Sequence, residues 1–188
     1  EGIDGSGKST QIKKFVEYLF SQYKYNHIVL TREPYLETDI RKILYEGDDP
    51  KTQAEKLAEL FVNDRKKHAE DLINPALSKG WHVVSDRYKL STIAYQQAQG
   101  MNFKKLIEMH AHLPVPNITF VIDVPAKTAN ERMNKEDGRK AHKFEKNLDF
   151  LEKVRQNFFN SNQLLDEKIF IINGEKSPEK IFEEIKNI

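Results

Sequence analysis

Residues Gly2–Ser9, GIDGSGKS, fit the spacing G-x-x-x-x-G-K-[ST], and no other stretch restricts the fold so strongly. Glycines at positions 2, 5 and 7 let the backbone curl until successive N–H groups point inward. The curl makes an anion nest, and the positive end of the helix that follows adds to it. Lys8 can reach the β- and γ-phosphates, and the Ser9 hydroxyl can bind Mg²⁺. Gly5, Ser6, Gly7, Lys8, Ser9 and Thr10 are therefore the expected contacts to ATP. The competing reading is a chance Gly/Ser turn. A helical pattern begins at once (Ile12, Phe15, Val16, Leu19), which weighs against it. A P-loop belongs between a buried strand and a helix. The helix is present. The strand is expected upstream, as about five to seven apolar residues at the centre of a sheet.

The rest of the chain alternates short apolar runs with helical patterns. His27–Thr31, Trp81–Ser85, Ile118–Val124 and Lys168–Asn173 are nearly continuous in β-branched and aromatic residues. That pattern predicts strands buried on both faces, hence a parallel sheet. Residues 51–79, 102–112 and 145–165 read as helices; Leu148, Leu151, Val154 and Phe158 follow helical spacing. Ser177-Pro178 predicts the start of a last helix. With the upstream strand the expectation is an α/β, three-layer P-loop fold. It has a five-stranded parallel sheet, helices on both faces and a lid, all within one domain spanning 1–188.

Ligands of such sheets bind beyond the carboxyl ends of the strands. Three charged segments follow strands: Thr31-Arg32-Glu33-Pro34, Ser85-Asp86-Arg87-Tyr88, and Asp123. An arginine beside a P-loop suits a second phosphate, because its fork binds oxygens bidentately. Asp86 either orders Arg87 or holds the Mg²⁺ shell; the bland reading is a local salt bridge. Residues 134–143, NKEDGRKAHK, are rich in cations. They are either a solvated loop or part of a lid, about 134–146, that closes on the triphosphate and presents an arginine. Asn134-Lys135-Glu136-Asp137 spells the guanine-reading N-K-x-D, but it follows a helical stretch, Ala126–Met133, and no D-x-x-G accompanies it.

Composition removes several classes. Thirty Lys and Arg against 29 Asp and Glu give a net charge of +1, so nothing suggests a nucleic-acid partner. The absence of Cys rules out a disulfide framework or thiolate metal site and fits a reducing, cytoplasmic setting. No apolar run approaches membrane-spanning length. The six His are scattered, which argues against a metal-centred hydrolase.

In order, GIDGSGKSTQ, TREP, ELFVNDRKKH (Glu59–His68), DRYKLSTIAYQ (Asp86–Gln96), VIDVPAKTANER and the basic lid resemble the motifs of the thymidylate kinase family, over nearly the whole chain. The resemblance implies transfer of the ATP γ-phosphoryl group to dTMP, with Mg²⁺ and as a homodimer. By position, Phe61 corresponds to the residue that stacks on thymine and Arg65 to the one that bonds the base edge. Arg87 would grip the monophosphate, with Arg32 nearby. Ser91 and Thr92 would line the nucleoside site. Tyr95 would crowd the 2′ position, Asp4 would contact the 3′-hydroxyl, and Arg132 would lie against the adenine. No arginine stands inside this P-loop, so the resemblance implies a lid arginine, Arg139 first, acting with Lys8, Arg87 and Asp86. Tyr35-Leu36-Glu37-Thr38 departs from the small residues usual after TREP, and Gln99 stands where many relatives have arginine. Two other readings remain. One is a P-loop kinase of a different nucleotide or nucleoside. The other is an ATPase or switch module, which would need switch motifs or a basic face, and neither is visible.

Overall fold

The structure, a computed structural model, describes residues 1–36, 38–45, 49–135, 144 and 147–188, apart from the side chain of Thr38. Helix α1 (Lys8–Gln22) leads to β1 (Ile28–Arg32), then α2 (Thr38–Tyr45) and α3 (Ala54–His68). A π-helical turn, Ala69–Ile73, joins α3 to α4 (Asn74–Ser78). Pro75 has no N–H to donate and its ring crowds the preceding turn, so the ladder slips there: Asn74 N–H reaches back to Ala69 O. Next come β2 (His82–Asp86), α5 (Lys89–Ala98), α6 (Phe103–Met109), β3 (Thr119–Asp123), α7 (Ala126–Lys135), α8 (Leu148–Leu164), β4 (Ile169–Asn173) and α9 (Pro178–Lys186).

The four expected runs are strands within a residue of the predicted bounds. They form two parallel pairs, β1 with β2 and β3 with β4, rather than one five-stranded sheet. No ladder joins β2 to β3 among the described residues. Glu1 lies alongside β3: its amino nitrogen donates to Phe120 O at 2.7 Å and its carbonyl accepts from Ile122 N–H at 2.9 Å, the alternation of a parallel neighbour. Beyond it a cavity of about 520 Å³ runs between the pairs, with Phe15, Val83, Ser85, Thr119 and Phe120 in its walls.

Register sets the site. Arg32 pairs with Asp86 and Asp123 with Asn173, so within each pair the polar carboxyl ends of the strands point one way. Helices α5 and α8 pack against each other and carry much of the core: Leu90, Ile93, Ala94, Phe150, Leu151, Val154 and Phe158 are buried together. Each large side chain among them contributes roughly 1.5–3 kcal/mol of transfer free energy. Asn102, Asn147 and Ser177 cap α6, α8 and α9 through their side-chain oxygens. Among the described residues no helix is long and apolar enough to cross a membrane.

Candidate active site

The P-loop curls as its glycines require. A Cβ at Gly5, where φ is +79°, would lie 2.3 Å from Ala129 O, and one at Gly2 would lie 2.5 Å from Ile122 O. The first turn of α1 has neither an acidic residue nor a capping side chain. Its leading amides, Lys8 and Ser9, are thus uncapped and suit an anion. Lys8 is buried; its ammonium donates to Ile3 O at 2.9 Å and lies 3.9 Å from Asp4. Burial, then the Arg87 charge, lower its pKa to about 8. Ser9 and Thr10 are exposed at the helix start. Arg132 crosses the loop, donating to Ser6 O at 3.3 Å and to Gly174 O at 3.0 Å, and so ties it to the turn after β4.

Arg87 follows β2 at φ +72°, a left-handed conformation unusual for a side chain of its bulk. Its guanidinium reaches Asp4 at 2.7 Å, Ser91 Oγ at 2.8 Å and Gly2 O at 3.1 Å, and lies over the Tyr95 ring. Burial opposes its charge, but Asp4, Tyr95, Glu1 and Asp86 outweigh that and raise its pKa. Tyr95 Oη is 3.5 Å from Asp4. Arg32, its side chain 71 % exposed, donates to Asp86 Oδ2 at 3.1 Å. Asp86 Oδ1 is buried with no partner. That orphaned oxygen suits a divalent cation. Among the described residues no three His, Cys, Asp or Glu gather. A cation here would therefore rest on few side chains plus phosphate oxygens, the usual habit of Mg²⁺.

A cavity of about 160 Å³ opens beside this cluster. Asp4, Arg87, Ser91 and Tyr95 line one end; Phe61, Arg65, Thr92 and Gln96 line the other. Phe61 packs on the core and faces the cavity. Arg65 is 0 % exposed. Its Nε donates to Glu33 at 2.7 Å, Nη2 to Thr92 at 3.0 Å, and Nη1 meets His110 Nε2 at 2.7 Å. Glu33 also holds His68 Nδ1 at 3.1 Å, and His68 Nε2 meets Thr31 Oγ1 at 2.8 Å. His110 Nδ1 faces Leu106 O at 2.6 Å. A carbonyl only accepts, so Nδ1 carries the proton and bare Nε2 accepts from Arg65. Burial, then the Arg65 charge, push the His110 pKa down to about 3.

Sequence reasoning missed His110, His68, Glu33 as a partner of Arg65, and Gln96. Gln96 Nε2 donates to Gln99 Oε1, whose own amide N–H groups bond Thr52 O and Pro50 O. Gln96 Oε1 is left buried without a donor. Only the last could have been sought in the sequence, since Gln96 sits one helical turn beyond Thr92. The Tyr35–Leu36 departure is accommodated by Asp64, which accepts both backbone N–H groups at 2.5 and 2.8 Å, while Tyr35 stacks on His68. Asn134 and Lys135 end helix α7, and the remaining two residues of the N-K-x-D string lie outside the described residues. So does Arg139.

The chain was compared with known proteins. The family model described as Thymidylate kinase matches residues 1–185. A thymidylate kinase of Desulfotalea psychrophila is 39 % identical over 163 residues, covering 86 % of this chain and 78 % of its own. One from Thermosipho africanus is 36 % identical over 203 residues, covering 100 % and 94 %. A crystal structure of thymidylate kinase from Ehrlichia chaffeensis superposes with a TM-score of 0.76 at 28 % identity, over 100 % of this chain and 94 % of that one.

Proposed function

The chain belongs to the thymidylate kinase family of P-loop nucleoside monophosphate kinases, and we propose that it moves the γ-phosphoryl group of ATP to dTMP with the residues just described. One observation carries the assignment of roles. A single cavity has the Arg87 cation at one end, beside an Asp4 that lies 3.9 Å from Lys8, and a flat apolar wall with a buried donor at the other, Phe61 and Arg65. That is the shape of a nucleoside monophosphate.

In the reaction an oxygen of the dTMP phosphate attacks the γ-phosphorus, and the bond to the β-phosphate oxygen breaks, leaving ADP and dTDP. The acceptor is already anionic, so positioning and charge neutralisation dominate over base catalysis. The P-loop amides of Gly5–Thr10 hold the triphosphate, Lys8 offsets its charge, and Arg132 flanks the donor nucleotide. Arg87, with Arg32 nearby, holds the acceptor phosphate in line. Phe61 stacks on the base and Arg65 donates to its carbonyl edge. Gln96 Oε1 can accept a ring N–H, and Thr92, Ser91, Tyr95 and Asp4 border the sugar. Ser9 and Asp86 would hold Mg²⁺, which when bound offsets charge on the phosphate oxygens. The resemblance gives the transferring group to Arg139, in a lid of about 134–146, and Arg139 lies outside the described residues.

Family membership also supports a five-stranded sheet within one domain, a homodimer and a cytoplasmic setting. A fifth strand would fill the cavity beside Glu1, between the edges of β2 and β3.

The test is ADP release from Mg-ATP with dTMP, dUMP, dCMP, AMP, thymidine or no acceptor. Turnover strongest with dTMP and absent with thymidine is expected. Turnover with thymidine alone would overturn the roles of Phe61, Arg65 and Arg87, and release that ignores every acceptor would favour an ATPase. For Arg139→Ala, turnover is expected to fall far more than acceptor binding; equal losses would sink the lid arginine.

A further inference from the structure

Arg87 poses a mechanical problem. It sits at a positive φ, on a turn between β2 and α5, and its side chain must nevertheless point at one spot beside the P-loop. The N-cap of α5, Tyr88, contributes no side-chain cap of its own. The missing cap comes from Glu1, just ahead of the P-loop. Glu1 Oε1 accepts from the backbone N–H of Tyr88 at 2.7 Å and of Ser91 at 3.2 Å. These are the N-cap and third helical positions, the two amides that a local capping box would satisfy.

The other oxygen, Glu1 Oε2, meets Ser91 Oγ at 2.5 Å. A carboxylate only accepts, so the single hydroxyl hydrogen of Ser91 must point at Glu1. The lone pairs of Ser91 then face Arg87 Nη1, which donates to them at 2.8 Å. Without the carboxylate the hydroxyl could turn its hydrogen toward the guanidinium and repel it.

We propose that Glu1 is a positioning residue for the transfer reaction: acting through the Ser91 hydroxyl, it aims Arg87 at the acceptor phosphate. Ser91 thus serves the phosphate end of the cavity by orienting its arginine. The inference rests on the assignment of Arg87 to the acceptor, and the experiment separates the two.

Steady-state kinetics on the full natural chain would compare Glu1→Gln, Ser91→Ala, Ser91→Thr, Arg87→Ala and the Glu1→Gln/Ser91→Ala double variant. Glu1→Gln keeps the shape and one acceptor oxygen but cannot accept the hydroxyl hydrogen at the second. Glu1→Gln and Ser91→Ala are each expected to raise the KM for dTMP by about tenfold, the scale of one hydrogen bond to a charged group. The KM for ATP should stay within about twofold, since neither bond touches the donor side. Ser91→Thr, which keeps the hydroxyl, should restore the dTMP KM. The double variant should be no worse than the worse single one, because both break one relay. Multiplied losses, or equal shifts in both KM values, would overturn the proposal. If Glu1→Gln fails to fold, Ser91→Ala against Ser91→Thr decides alone: equal dTMP KM values overturn it. An Arg87→Ala variant with unchanged dTMP KM would instead remove the underlying assignment of Arg87.

Discussion

The two ends of the cavity hold their arginines by opposite means. At the phosphate end, Arg87 and Lys8 are balanced by Asp4, and the ion pair between Arg87 and Asp4 borders the cavity. An incoming phosphate can compete for those contacts. At the base end, Arg65 is fully buried and its three nitrogens already have Glu33, Thr92 and His110. The first arrangement is one that ligand can rearrange. The second is fixed before ligand arrives, and a fixed donor discriminates better than a mobile one because it loses no freedom on binding.

The largest effect that would break this contrast is in stability. Arg65→Met leaves the buried Glu33 without its guanidinium and only His68 against it, so denaturant unfolding should report a loss of about 3–5 kcal/mol; a loss below about 1 kcal/mol would mean the floor is not fixed. The counterpart at the other end is kinetic. Arg87→Ala should lower kcat/KM on the order of 10²- to 10³-fold, as for removal of one charge-stabilising donor. Its melting temperature should move little, and a large fall would make the phosphate end structural too.

His110 sharpens the comparison at a smaller scale. His110→Leu strands an Arg65 N–H and should cost about 1–3 kcal/mol. The sign of the pH dependence follows from the depressed pKa. Between the unfolded value near 6.5 and the folded value of about 3, the unfolded chain binds the proton and the folded chain does not. Stability is therefore lost as pH falls through that window. His110→Asn, which has no such proton, should flatten the slope in acid unfolding curves. The smallest effect belongs to Lys8. A bound polyanion should raise its pKa from about 8, so ATP binding at pH 8 to 9 should take up a fraction of a proton. Calorimetry in buffers of different ionisation enthalpy measures it; zero uptake would mean that Lys8 is already fully charged.

Legibility in the sequence divides along the same line. The P-loop was visible because its function is written in consecutive residues, and the strands because burial on both faces leaves continuous apolar runs. Helix α5 has no clean amphipathic period, since Lys89, Leu90, Thr92, Ile93, Ala94, Tyr95 and Gln96 are all buried. It was noticed for its resemblance to a family motif, not for its spacing. The partners of Arg65 come from β1, α5 and the end of α6, as far as 45 positions away. Nothing local marks His110 as different from the other His residues. The Glu1 contact to Ser91 spans 90 positions and is likewise invisible until the fold brings α5 to the P-loop.

Asp64 holds the segment after Glu33-Pro34 by the amide hydrogens of Tyr35 and Leu36. Every residue except proline supplies an amide hydrogen, so such a clamp is blind to side-chain identity. The identity of residues 35 and 36 is thereby uncoupled from the path of the chain. Small residues can give way to Tyr-Leu at these positions without disturbing Glu33 or the arginine it holds. In evolutionary terms, the clamp makes this stretch of the rim a place where sequence can drift while the binding floor stays still.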